Sequence, residues 1–456
     1  MQAGSGPELS KSRRAVVVTA VVAALIAVAV GWHFLGDEQA HPVQVVEGLP
    51  VSAVRLPDVS PIPVAASGPE GPTPVASEGA IDEIQVCGGR WVKLGPDGQP
   101  SQDELTAIQM GAMLEVGSSA LAAMTSSGSL QAQAAASYFR SGRADLAVGM
   151  RARCGSAACV GAVDAWQAEG QGQRDALARL AQEANDSQIY AWAYRACQAV
   201  SGPPQGDCGA INASQWAHLD ARNADPWLAA ADEARFRKDP AALDDAMFHV
   251  ANAERHDSGW WALAAQIMDH VPPDDANLLG TMGLVVQAIG LEATRGPGWQ
   301  HAIQYCDAKE LADSNRREIC ERMATVLAER STTLLARSIG GALGKKVGWA
   351  AARIEGMVRQ REAEEAVIRL QVERAQAEPV ACGALRGELE RVRNVARWGE
   401  VEAFRRDVVA AGKPVAELAA DARRKHAEQV TQAKREEAAE SAAASQATSA
   451  SVFAPR

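Results

Sequence analysis

The chain has 456 residues, 47% of them hydrophobic and 22% charged, enough apolar material for one or two cores of ordinary size. Its net charge of −11 argues against nucleic acid as a main partner, because neutralising phosphates needs a basic face. Aromatics are scarce at 5%, yet 11 are Trp; alanine is abundant and Val/Ile runs are few outside one segment, so a mainly α fold is expected.

Residues 1–14 form a short polar tail with Lys11, Arg13 and Arg14 at its end. Residues 15–35, AVVVTAVVAALIAVAVGWHFL, contain no Asp, Glu, Lys or Arg. At about 1.5 Å per helical residue this run reaches about 31 Å, the thickness of a bilayer's hydrocarbon core. It is expected to be a single transmembrane helix. Basic residues before it and Asp37 and Glu38 after it place the N-terminus in the cytoplasm and the bulk of the chain outside, on the periplasmic side of an inner membrane. The alternative is a cleaved signal peptide, with Ala27-Val28-Ala29 as its small-residue site and a secreted or periplasmic product. The apolar run is longer than the usual signal core of about 7–15 residues. Small pairs (Ala20 with Ala24, Ala23 with Ala27) could pack two such helices, which leaves homo-oligomerisation open.

Residues 36–80 carry Pro50, Pro57, Pro61, Pro63, Pro69, Pro72 and Pro74 among Val, Ala, Ser and Gly. Such a segment cannot bury enough apolar surface to fold and is expected to be a disordered, extended spacer. Ile81 to Leu94 alternates and ends at Gly95-Pro96-Asp97-Gly98, the one convincing extended piece.

Helical periodicity then runs from about Ser101 to Ala433. Within it, Leu130 to Cys154 reads as two pieces divided at Gly142-Arg143. Trp227 in NADPWLAAADEA and Trp261 in DSGWWALAAQIM lie 34 residues apart, each followed by small residues three and four positions on. A Trp and two small residues then share one helix face and let a second helix approach closely. This spacing resembles the first helix of a tetratricopeptide repeat, and LDARNADPW resembles the loop that opens one. Leu243, Met247 and Val250 fall in register for that unit's second helix; Tyr138, Gly142, Ala147 and Cys154 fit an earlier unit. After Trp261 the register decays through Pro272-Pro273, and Trp299 comes 38 residues on. The resemblance covers about a third of the chain, with one unit fitting well, and implies stacked antiparallel helical hairpins over 81–326. A C-terminal helical region is expected over 327–437, broken at Gly340-Gly341 and Gly344, and a disordered Ala/Ser-rich tail over 438–456.

All eight Cys lie beyond the hydrophobic segment, which suggests disulfides in an exported chain. Residues equidistant from the turn of an antiparallel hairpin face each other, which pairs Cys306 with Cys320, Cys197 with Cys208 and Cys154 with Cys159. Cys87 with Cys382 remains, tying the extended start of the body to its last helices.

No catalytic constellation, cofactor motif or metal site emerges. Gly340 to Lys346 lacks the spacing of a phosphate loop. His249 and His256 are seven apart, with His270, Asp274 and Asp275 further on, whereas zinc sites favour His pairs three to five apart. Trp227 and Trp261 are expected to pack hairpins, while Trp260 and Trp299 are candidates to contact a partner. The expected function is a membrane-anchored, non-enzymatic module that binds an envelope protein or peptide. The alternatives are an exported hydrolase acting on envelope material and a structural spacer.

Overall fold

A computed structural model of the chain describes residues 83–94, 102–151, 157–198, 205–272, 274–295, 299–377 and 381–452. The expected tail, membrane helix and Pro-rich spacer at 1–80 lie outside these. The described body is mainly helical and cross-linked by disulfides. It opens with an antiparallel hairpin of β1 (Glu83–Gln85) and β2 (Trp91–Lys93), in which Ile84 faces Val92.

Helices then follow one another: α1 (Gln102–Ser126), α2 (Leu130–Arg151), α3 (Ala157–Ala184), α4 (Ser187–Gln198), α5 (Ala213–Leu219), α6 (Ala224–Phe236), α7 (Pro240–Asn252) and α8 (Ala262–Asp269). The second half comprises α9 (Asp275–Ala293), α10 (Trp299–Tyr305), α11 (Ser314–Glu329), α12 (Leu334–Val347), α13 (Ala351–Ala377), α14 (Cys382–Trp398), α15 (Glu400–Ala410) and α16 (Val415–Val452). Many of their starts are written in the sequence. Asn212, Asn223, Asp239, Asp274, Asp313 and Thr333 each accept a hydrogen bond from a first-turn amide through the side chain, satisfying a donor that has no intrahelical partner.

Three apolar clusters hold the body together. The first gathers α1 to α5, α8, α9 and one face of α14. Its centre is α9, where Leu284, Val285 and Ala288 are almost fully buried and each large aliphatic contributes about 1.5–3 kcal/mol. Among the described residues α9 is the one helix long and apolar enough to span a bilayer, but 67% of it is buried inside the protein, so it is a core helix. The second cluster joins α6, α7, α10, α11 and α12. The third joins α13, α15 and α16 through Ala363, Val367, Val408 and Leu418. The clusters do not divide at 326: α12 belongs with the hairpins before it, and Leu385, Leu389 and Val392 of α14 return to the first cluster.

Several loops are stitched to one another by backbone hydrogen bonds. Ala224 N–H donates to Arg255 O (2.9 Å), and Glu254 N–H donates to Arg222 O (2.9 Å). His256 N–H donates to Arg330 O (3.0 Å), Thr332 N–H to His256 O (3.0 Å) and Val401 N–H to Thr332 O (3.2 Å). Four chain segments far apart in sequence therefore stack like rungs, with parallel bridges at Asn223–Arg255 and His256–Ser331.

Several expectations are corrected. α2 runs unbroken through Gly142, because that glycine is a contact and not a turn: a Cβ there would lie 2.4 Å from the Leu291 side chain. α12 likewise continues through Gly340, Gly341 and Gly344 and stops only at Gly348, whose φ is 91°. Gly340 lets α12 touch the backbone of α11, where a Cβ would lie 2.3 Å from Ala328 N. α16 extends to Val452, past the expected end at 437, since alanine has the highest helix propensity. Trp261 precedes α8 as its N-terminal flank and does not sit within a helix, so the second Trp unit does not repeat the first.

Candidate functional site

The α6–α7 hairpin carries the clearest surface chemistry. Pro226 and Pro240 sit in first turns, where a missing N–H costs nothing. Trp227 is half-buried against the second cluster and donates its indole N–H to Ala221 O (3.0 Å). Its ring stacks on His249 of α7, centroids 3.9 Å apart and planes 11° apart. Phe248 meets His249 edge-on at 5.8 Å and is 50% exposed. Together they form an aromatic strip that runs from the core to the surface. Its rings offer π faces and edges to apolar or cationic groups of a partner.

The two tryptophans singled out from sequence lie elsewhere. Trp299 begins α10, which packs on α6; it is half-buried, with its ring 5.2 Å from His256. Trp260 is half-buried in the loop before α8, and its indole N–H is buried without a hydrogen-bond partner. The exposed aromatics of this hairpin are Phe236 and Phe248, neither of which the sequence pattern singles out. A signal existed: Met247 and Val250 face the core, so Phe248, one step round from Met247, must point away.

The first turn of α6 also joins a buried polar network. Arg195 of α4 donates to Asp225 of α6 (3.0 Å) and to the carbonyl of Ser258 (2.6 Å), and it approaches Glu292 of α9 at 4.0 Å. Trp192 Nε1 donates to Glu292 Oε1 at 3.1 Å. Burial pushes the Glu292 carboxyl up to about 8, against the pull of Arg195 and the hydrogen bonds from Trp192 and Leu263. Arg195 is thus ion-paired with Asp225, beside a Glu292 carboxyl that burial keeps protonated near neutral pH. A second buried carboxyl, Glu400, accepts Trp261 Nε1–H (2.9 Å) and Leu334 N–H (2.8 Å), and burial raises it too.

Asp225, His256 and Ser331 also fall in line. His256 Nδ1 lies 2.9 Å from Ser331 Oγ, and Nε2 lies 3.6 Å from Asp225 Oδ1. A nucleophilic serine must present its oxygen to substrate while a base removes its proton. Here the imidazole and carboxylate are fully buried, and Ser331 Oγ already accepts the Thr333 N–H (3.0 Å) at the entry to α12. The trio ties the first turn of α6 to two loops.

The structure pairs Cys87 with Cys382, Cys197 with Cys208 and Cys306 with Cys320. Cys154 of the remaining expected pair, Cys154 with Cys159, lies outside the described residues. The Asp275 carboxylate lies beside Cys87 and Cys382 at the rim of a shallow recess, but the two sulfurs are joined to each other and neither is a thiolate ligand. The histidines considered for zinc have other partners: His249 stacks on Trp227, His256 bonds Ser331, and His270 bonds the Gln266 carbonyl (2.8 Å). Compared with protein-family models, with curated proteins and with solved structures, the chain matches none.

Proposed function

We propose that this chain is a single-pass, membrane-anchored helical-hairpin module on the periplasmic side of an inner membrane, and that it binds a protein or peptide of the cell envelope. The observation that carries the binding role is the strip Trp227–His249–Phe248, an aromatic surface on a capped hairpin. Aromatic side chains held in place by packing bury large area on binding at little entropic cost. The disulfides support an oxidising compartment, and the charge-free run at 15–35 supports the anchor. The resemblance of the α6–α7 sequence to one tetratricopeptide unit supports the binding mode by analogy alone.

Two measurements on intact cells test this reading. External protease applied to spheroplasts should trim the full-length chain to a membrane-held stub; release of a soluble mature form starting after the apolar run would remove the anchor. A photo-crosslinking amino acid at position 248 should yield one discrete adduct with a second envelope protein. The same probe in place of the exposed Arg393, on α14, should give no such adduct. Adducts of equal yield from both positions would remove the binding role of the strip.

A further inference from the structure

The Cys87–Cys382 bond lies in a setting that the other two described disulfides lack. Cys87 sits at the tip of the β1–β2 hairpin, just before Gly88 and Gly89, whose φ values of 92° and 79° turn the chain back. A Cβ at Gly88 would lie 3.4 Å from Ala276 O, and Cys87 Sγ lies 3.3 Å from Asp275 O, so the tip rests on the first turn of α9. Cys382 is the first residue of α14 and is half-buried, whereas Cys197, Cys208, Cys306 and Cys320 are buried. Elements far apart in sequence thus bring two sulfurs and the Asp275 carboxylate within 4.8 Å of one another. Among the described residues no second group of this kind surrounds a disulfide.

The surroundings suit a cation. The trio opens on the shallow recess, where Asp275 is the one charged lining residue. Arg386 of α14 donates to Asp275 Oδ1, and Oδ2 has no partner among the described residues. Two thiolates and a carboxylate are a donor set for zinc, and the recess gives a water room to be the fourth ligand. Those three anions carry one more charge than Zn2+ neutralises, and Arg386 supplies the balance while orienting the ligating carboxylate.

We propose that, once this bond is reduced, Cys87, Cys382 and Asp275 hold a zinc ion in its place, so that the β-hairpin stays fastened to α9 and α14 in either redox state. A dithiol reductant cleaves the S–S bond, leaving two protein thiols and its own cyclic disulfide. Zn2+ then displaces the two thiol protons, which pass to solvent; the metal is neither oxidised nor reduced. A thiolate in the first turn of a helix, as at Cys382, is stabilised by that turn's unpaired amides. Tetrahedral Zn–S bonds of about 2.3 Å set the sulfurs about 3.8 Å apart. Rotation of the half-buried Cys382 side chain supplies that separation while Cys87 stays seated on α9. The site depends on neither the membrane anchor nor the aromatic strip.

The test uses the full chain in detergent micelles, reduced with dithiothreitol, freed of it without air, and titrated with Zn2+ or Co2+ alone. The parent should bind one metal equivalent more than a variant carrying both Cys87→Ser and Cys382→Ser, treated alike so that the other six cysteines cancel. Its cobalt form should show tetrahedral ligand-field bands with thiolate charge transfer, and zinc should shield Cys87 and Cys382 from alkylation. Asp275→Asn should weaken binding about tenfold or more, and the unreduced parent should bind none. Equal binding by parent and double variant, equal binding before reduction, six-coordinate cobalt without charge transfer, or unchanged affinity in Asp275→Asn would overturn the site. Where reduction costs helicity, its recovery on adding zinc to the parent alone supports the site, and a parent that stays unfolded with zinc overturns it.

Discussion

Glu292 shows how a single residue makes this fold sensitive to pH. Its carboxyl is fully buried, and its proton is held to about pH 8, whereas in the unfolded chain it leaves near 4.5. A raised carboxylate makes the native state the one that binds more protons between those values, so stability is greatest below the unfolded value and falls as pH climbs to 8. Trp192 donates to Oε1, an oxygen that glutamine would also present. Glu292→Gln should therefore leave the fold intact, flatten the stability profile between about pH 5 and 8, and stabilise the protein at pH 8 on the order of a few kcal/mol. Urea unfolding at several pH values checks this; an unchanged slope would show that Glu292 ionises normally in the native state. Arg195 keeps Asp225 as its counter-charge in that variant, so no buried charge is orphaned.

At the scale of the elements, glycine has two opposite meanings in one helical sequence. Gly340 of α12 sits against α11, where a methyl group would meet backbone atoms at 2.3 and 2.8 Å. Gly356 of α13 faces open space, where a methyl group would find nothing within 4 Å. Gly340→Ala is expected to cost about 1–3 kcal/mol by forcing α11 and α12 apart, while Gly356→Ala gains about 0.5–1 kcal/mol by restricting the unfolded chain. Thermal unfolding of the two variants should move in opposite directions. The same contrast explains why glycine pairs read as helix breaks: spacing along the chain says nothing about the helix that arrives from elsewhere. Gly142 depends on Leu291, which lies on α9.

At the scale of the molecule, the Cys87–Cys382 bond and the stacked loops do different jobs. The bond spans 295 residues and joins the first β-hairpin to α14, whose apolar face belongs to the first cluster. The Cys306–Cys320 bond spans 14 residues and stays within one local unit. Chain-entropy reasoning gives the long loop about 5–6 kcal/mol and the short one about 3 kcal/mol. Replacing both Cys87 and Cys382 with Ala should lower stability more than replacing Cys306 and Cys320, measured by denaturant unfolding under non-reducing conditions. The reverse ranking would show that the β-hairpin and α14 are held by packing alone. The loop ladder at Arg222, Arg255, Arg330 and Thr332 adds directional bonds between segments far apart in sequence.

The features legible along the chain are local ones. Asn223 and Asp239 announce the starts of α6 and α7, Leu385, Leu389 and Val392 mark one face of α14, and the Cys306–Cys320 and Cys197–Cys208 pairs follow from their distance to a turn. Caps, helix periodicity and short loops act within a few turns of chain, so spacing encodes them. Other features exist only once the chain has folded: the return of α14 to the first cluster, the meeting of Arg195 with Asp225 and Glu292, the close-packing role of Gly142 and Gly340, and the exposure of Phe236 and Phe248 where Trp260 and Trp299 are half-buried. Each of these depends on which surfaces meet across tens to hundreds of residues. That choice is set by the summed burial and hydrogen bonding of the whole body, which no local pattern carries.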